Sequence, residues 1–334
     1  MGGTLMKYQK LGKTDLNASV VSFGTWGLGG GSVWSDLSVT VPQVESLLDA
    51  ATDLGINYID TAPVYGTGVS EELLGQALKN GRRDRFLLQT KCSLNWRRDG
   101  GNFHYERDGY TVCNDTSARA IRQDVEDSLK RMQTDCIDVL VVHYVCKSWP
   151  VEETMGALDQ IVRSGKALYV GISNYPAEMA ERAIRILREL GTPCLIEQPN
   201  YSMLSRWIEN GLTDVLRREK VGCIVFAPLQ NGLLTGKYLD GIPSDSRIAK
   251  DPRYLKASSL TEDVLTKIQA LKSVAVERGQ KLHQMALQWV LRDPVVTSAL
   301  IGASRPEQIT DNIEALRGPA FTAEELQRIE KILR

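Results

Sequence analysis

Eight short runs rich in Val, Ile and Leu recur along the chain, separated by segments with helical spacing, and this alternation constrains the fold more than any other feature. The runs are Ser19–Phe23, Ile56–Asp60, Phe86–Lys91, Ile137–Val142, Ala167–Ile172, Cys194–Gln198, Gly222–Ala227 and Ser298–Ile301. Between them, helical spacing marks Pro42–Leu54, Ser70–Lys79, Ser117–Met132, Val151–Ser164, Pro176–Leu190 and Leu212–Glu219. Several of these segments open on a start signal: Thr40 ahead of Pro42, Ser70 with Glu72 nearby, Pro176 after Asn174. Such alternation demands βα units and parallel strands. An open doubly wound sheet and a closed barrel both satisfy it. The count of eight, with no Pro/Gly/Ser-rich linker, favours closure into one (β/α)8 TIM barrel, a single domain over residues 1–334. Met6–Leu16, turning at Gly12-Lys13-Thr14, reads as an N-terminal β-hairpin that could plug the barrel bottom. Cys92–Thr116 and Asn231–Leu260 exceed ordinary loop length, which points to function or mobility.

Charge removes several function classes. Lys and Arg total 40 against 41 Asp and Glu, a formal charge of −1, so no net field draws the chain to nucleic acid or anionic lipid. The longest apolar runs, such as Ile137–Val142, fall far short of the ~20 residues that cross a bilayer. Met1–Lys7 has no apolar targeting core, and Met6 stands where a myristoylation signal needs Ser or Thr. A soluble cytoplasmic protein is expected. The six cysteines include no C-x-x-C pair, which argues against a zinc ribbon or a thioredoxin-type motif and for free thiols. Four lie in or beside strand-like segments; Cys113, in the first long loop, stands apart.

A barrel carries its chemistry at the C-terminal ends of its strands. Asp60 ends the second run, Tyr65 follows it, Lys91 ends the third, and His143 follows the fourth. Each has an ordinary explanation alone: a helix cap, packing in a Gly-flanked loop, a rim charge, a satisfied core histidine. Their coincidence at successive strand ends suits proton transfer to a carbonyl oxygen while hydride arrives at carbon. A tyrosine with an ordinary pKa of about 10 is a poor acid at neutral pH. A nearby ammonium favours its phenolate, a carboxylate positions that ammonium, and a neutral imidazole hydrogen-bonds the substrate oxygen. No side chain is a hydride source, so a nicotinamide cofactor would have to be supplied.

The stretch Asp60-Thr61-Ala62-Pro63-Val64-Tyr65-Gly66, with Lys91 and His143 closing the next two strands, resembles the aldo-keto reductase superfamily. The likeness runs from Lys10-Leu11-Gly12 through Leu300-Ile301-Gly302-Ala303-Ser304. It is closest to the branch holding bacterial glyceraldehyde 3-phosphate reductases and potassium-channel β subunits, through Pro228-Leu229, Gly232–Tyr238 and Ala303–Asn312. The resemblance implies an Asp60, Tyr65, Lys91, His143 tetrad with Tyr65 as proton donor. It implies that Ser173, Asn174 and Gln198 hold the nicotinamide carboxamide, and that Gly24, Thr25 and Trp26 line the cofactor and substrate site. Ala227, Pro228, Leu229, Gln230 and Gly232 would cover the pyrophosphate. Lys237, Arg247, Gly302, Ser304, Arg305, Gln308, Asp311 and Asn312 would surround the adenosine end. Ser304-Arg305-Pro306 also opens a helix running to Ala315, and a helix N-terminus beside an arginine suits a ribose 2′-phosphate. That favours NADPH, with NADH the alternative.

Two glycine-rich stretches are decoys. Gly27-Leu28-Gly29-Gly30-Gly31-Ser32 has Ser at the sixth position of the dinucleotide fingerprint, and Gly232–Lys237 is a residue short of a P-loop and followed by Tyr238. Metal chemistry is not expected, since His104, His143 and His283 are the only histidines and lie far apart in sequence. A G-x-S-x-G elbow is absent. The rival from another class is a cofactor-binding regulatory subunit. Some channel relatives carry Asn where this chain has His143, which favours an enzyme. Trp26, Trp34 and Trp96 would wall a substrate pocket with Tyr65 and His143, suiting small carbonyls. Equally, Trp34 would cap the hairpin and Trp96 would pack under its own loop. Arg97-Arg98 would suit a substrate phosphate, and the family's assemblies leave room for a homo-oligomer.

Overall fold

The computed structural model describes residues 5–28, 39–97, 106–107, 110–244, 246–250 and 255–334. Trp34, His104 and most of the first glycine-rich stretch lie outside the described residues.

Eight parallel strands close on themselves in chain order: Val21–Gly24, Tyr58–Asp60, Leu87–Cys92, Ile137–Val142, Ala167–Ser173, Cys194–Gln198, Gly222–Val225 and Val296–Ile301. The last pairs with the first, Ala299 opposite Val21 and Ile301 opposite Phe23. This is the expected (β/α)8 barrel. Strand centres fall where the apolar runs lie, and the ends shift for local reasons. Ser19 belongs to the hairpin, opposite Tyr8. The Ile56 N–H wraps back to Ala51 O at the end of the first helix, so the second strand starts later. Ala227 adopts φ +51, which ends the seventh strand at Val225.

The covering helices form where apolar spacing and caps agree. Val41–Asp53 begins after Thr40, whose N–H donates to Gln43 Oε1 at 2.8 Å. Ala118–Met132 is capped by Ser117 Oγ, which accepts from the Ala120 N–H. Among the described residues, no helix is long and apolar enough to cross a membrane.

The hairpin Tyr8–Lys10 with Asn17–Ser19 seats Leu11 among Tyr58, Val139, Val141, Leu195 and Ile224, a buried cluster at the barrel floor. Gly12 makes this approach with φ +55; a Cβ there would stand 3.0 Å from Leu195 O. At the opposite rim, the described parts of the first long loop form short strands. Leu94–Arg97 pairs antiparallel with Tyr110–Asn114, which pairs with Glu106–Arg107. The second carries a turn of 3-10 helix at Gln230–Thr235 and short turns at Arg247–Lys250 and Ala257–Ser259.

Candidate active site

The backbone ladder continues one residue past three strand ends and thereby fixes the rim. Thr25 N–H donates to Asp60 O, Thr61 N–H to Gln89 O and His143 N–H to Cys92 O, at 2.9, 2.9 and 3.1 Å. Side chains alternate along a strand, so Gln89 and Lys91 share the inward face of the third. Lys91 Nζ lies 2.5 Å from Asp60 Oδ1, 3.0 Å from Thr61 O and 3.1 Å from Tyr65 OH. Asp60 Oδ1 also accepts from Gln89 Nε2 and, at 3.1 Å, from Gln198 Nε2. Burial drives the Asp60 carboxyl up and the Lys91 ammonium down from their ordinary values, and their attraction opposes both shifts.

Tyr65 opens a 3-10 turn, Tyr65–Gly68, in which Gly66, Thr67 and Gly68 have positive φ. Its ring meets His143 edge-on, centroids 6.1 Å apart. Burial, with Lys91 adding to it, holds His143 well below the ordinary imidazole range, so the ring is neutral. Nδ1 of that ring is buried without a hydrogen-bond partner. Trp96 reaches back across the rim, its indole N–H 3.4 Å from Val64 O, beside Tyr65.

Ser173, Asn174 and Gln198 converge on the same centre. Ser173 Oγ donates to Gln198 O at 2.6 Å, while Asn174 Nδ2 donates to Ser173 Oγ at 2.9 Å and His143 O at 3.2 Å. Gly24 and Thr25 are buried under the first strand end, and Trp26 is half-buried beside them. Gly302 leaves the last strand so close to the first that a Cβ would lie 3.8 Å from Gly24 O.

After the seventh strand, Ala227, Gln230, Asn231 and Gly232 all take left-handed backbone angles around Pro228 and Leu229. That conformation costs an L-residue ~1–2 kcal/mol each, so the turn is held for a reason. The exposed Lys237 lies over it, near enough that a Cβ on Gly232 would come 3.4 Å from Nζ. Arg305 is exposed at the N-cap of Pro306–Ile313, and neither cation forms an ion pair among the described residues. Ser304 N–H and Oγ bond Gln308 Oε1, and Asn312 is buried. Asp311 is engaged by Lys281 at 2.8 Å, with His283 Nε2 at 3.1 Å. Arg247 starts a short helical turn.

Several neighbours escaped the sequence reading. Gln89 bridges Asp60 and the Tyr58 hydroxyl, and its place two residues before Lys91 could have revealed it. Tyr144 stacks on His143, centroids 5.2 Å apart, adjacent in sequence but without a pattern to mark it. Buried Glu71 accepts from Thr90 Oγ1 at 2.6 Å and Arg131 Nε at 2.7 Å, and no local signal links those positions.

Residues 20–334 match the profile of the aldo/keto reductase family, and the chain belongs to that family. Oxidoreductase activity on carbonyl compounds is consistent with that membership. Among similar proteins is the L-glyceraldehyde 3-phosphate reductase of Escherichia coli strain K12, 40% identical over 98% of this chain and 92% of that protein. A probable voltage-gated potassium channel subunit beta of Arabidopsis thaliana is 34% identical over 98% and 97%. The solved glycerol dehydrogenase of Gluconobacter oxydans superposes with a TM-score of 0.79 at 30% identity, covering 98% of this chain and 94% of that one.

Proposed function

We propose that the chain reduces small aldehydes or ketones to alcohols with NADPH, and that Tyr65 is the general acid. The observation that carries this is the Lys91 ammonium, within hydrogen-bond reach of both the Asp60 carboxylate and the Tyr65 hydroxyl. Tyr65 O–H donates its proton to the carbonyl oxygen as the carbon is reduced, and Lys91 stabilises the phenolate left behind. Asp60 holds Lys91 in place, itself fixed by Gln89 and Gln198. Neutral His143 hydrogen-bonds the same oxygen and orients it. Trp26, Trp96 and Tyr144 wall the site and exclude water.

The residues present suit a nicotinamide dinucleotide: a left-handed turn at Ala227–Gly232, the exposed Lys237 and Arg305, which form no ion pair among the described residues, and the Ser173, Asn174 and Gln198 amide and hydroxyl set. When bound, that cofactor supplies the hydride. Ser173, Asn174 and Gln198 would hold its carboxamide, the turn its pyrophosphate, and Lys237 with Arg305 a 2′-phosphate. Gly302, Ser304, Gln308 and Asn312 would frame the adenosine, with NADH the weaker guest.

The names of the relatives suggest hydroxylated or phosphorylated short-chain substrates. A cofactor-binding regulatory subunit is the second reading, favoured by the channel-subunit relatives; His143 beside Tyr65 favours catalysis. Oxidation of NADPH and NADH, followed at the nicotinamide absorbance with a panel of aldehydes and ketones including glyceraldehyde 3-phosphate, decides between them. Cofactor binding without turnover of any carbonyl would leave the regulatory reading.

A further inference from the structure

Two buried carboxylates in this barrel come with cations, and a third forms no such pair among the described residues. Asp60 faces Lys91 and Glu71 faces Arg131, whereas Glu197, fully buried, forms no salt bridge among the described residues. It sits on the sixth strand beside Gln198, and alternation sends the two side chains opposite ways. Gln198 points in to Asp60, and Glu197 points out beneath the turn that follows Ser173. There the Tyr175 N–H donates to Oε1 at 3.1 Å, and the Asn174 N–H is near enough to favour the carboxylate. Oε2 is buried without a partner. Asn174 itself is left-handed, φ +59, a conformation that Asn tolerates better than most L-residues and that the Tyr175 N–H bond to Glu197 would help hold.

We propose that Glu197 is a positioning residue for the cofactor clamp: by anchoring the Tyr175 N–H it locks the left-handed Asn174 turn from which Ser173 and Asn174 are aimed at the nicotinamide carboxamide. The proposal rests on the reading of Ser173, Asn174 and Gln198 as that clamp. Two parts of the clamp then depend on one dipeptide, Gln198 from within the barrel and Glu197 from behind it.

Burial pushes the Glu197 carboxyl up to about 8. The groups facing it are the Tyr175 phenol, the Cys194 thiol on its own strand and the Cys223 thiol on the seventh, all driven upward by burial and therefore uncharged in this range. Cys92 and Cys146 in turn face Tyr175. Losing the Glu197 proton leaves an unpaired charge in a dry site, which opening of the turn to water relieves.

The test is fluorescence titration of the whole protein with NADPH, NADH and adenosine 2′,5′-bisphosphate. Glu197→Gln keeps an acceptor for Tyr175 and should bind NADPH as wild type does at about pH 7. Glu197→Leu removes the acceptor and should weaken NADPH and NADH alike by about tenfold, while adenosine 2′,5′-bisphosphate, which lacks the carboxamide, is unaffected. Wild-type NADPH affinity should fall as pH rises through about 8, and that fall should be absent in Glu197→Gln, a readout independent of whether the Leu variant folds. Unchanged NADPH affinity in folded Glu197→Leu, or the same pH profile in wild type and Glu197→Gln, overturns the proposal. Failure of the wild type to bind either nucleotide overturns the cofactor reading and this proposal with it.

Discussion

Arg131 donates to Glu71 at 2.7 Å while its side chain lies against Gly68, where a Cβ would come 2.8 Å from Arg131 Cδ. One guanidinium from the helix Ala118–Met132 therefore supports the last residue of the Tyr65 turn and the buried carboxylate that also accepts from Thr90, next to Lys91. Arg131→Met would leave Glu71 buried without its cation, at a cost of about 3–5 kcal/mol, and would let the Tyr65 turn drift. Denaturant unfolding and aldehyde turnover should both register it. Glu71→Gln combined with Arg131→Met should recover part of the stability, because the lone charge is gone.

Tyr65→Phe removes the proposed acid and keeps the ring. Carbonyl reduction should fall about a hundredfold or more, the usual scale for lost acid catalysis, with NADPH affinity nearly unchanged. A Phe variant turning over near the wild-type rate would reject Tyr65 as the acid.

Lys91→Met should lower activity more than Asp60→Asn, because Lys91 supplies the charge that stabilises the phenolate and Asp60 positions it. A second readout needs no turnover. Lys91 helps hold His143 below its ordinary range, so the His143 pKa, followed by NMR, should rise in Lys91→Met. An unmoved His143 titration would show that the two groups are electrostatically separate.

Arg305→Ala with Lys237→Ala should weaken NADPH far more than NADH, since only NADPH carries the 2′-phosphate these cations would meet. Parallel titrations with both cofactors decide it, equal losses making the pair general contacts.

Stability should depend on pH in opposite senses at two buried groups. His143 stays neutral in the folded protein, while the unfolded chain takes up a proton below about 6.5, so its contribution lowers stability as pH falls below that value. Folded Glu197 keeps its proton up to about 8, whereas unfolded Glu loses it near 4.5, so stability falls as pH rises across that window. Glu197→Gln should abolish the second effect, gaining on wild type as pH rises, with an upper bound of about 5 kcal/mol at 1.36 kcal/mol per pH unit. Urea midpoints measured at several pH values would show a constant difference if Glu197 titrated normally.

Asp60, Lys91 and His143 were legible because each stands where an apolar run stops, and a barrel puts such positions on one rim. Gln89 was legible in principle through its spacing from Lys91. Glu197 was not: a barrel strand is buried on both faces, so its run does not reveal which side chains point inward. Arg131 was invisible for a different reason, since its partner lies in another helix and helical spacing encodes only the face turned to the core. The strand ends at Ser19 and Ala227 were missed where a hairpin pairing and a left-handed residue overrode apolar content.

The closure of the barrel has a consequence for how the chain acquires its shape. Val21 pairs with Ala299, and Leu11 packs against Leu195 and Ile224. The first strand has only one of its two neighbours until the last is made, and the floor cannot be sealed until the sixth and seventh strands exist. During synthesis the early strands therefore wait with an open edge, and contacts of such long sequence separation form slowly. The contacts that close the sheet are therefore those between its most distant parts in sequence, Val21 with Ala299 and Leu11 with Ile224.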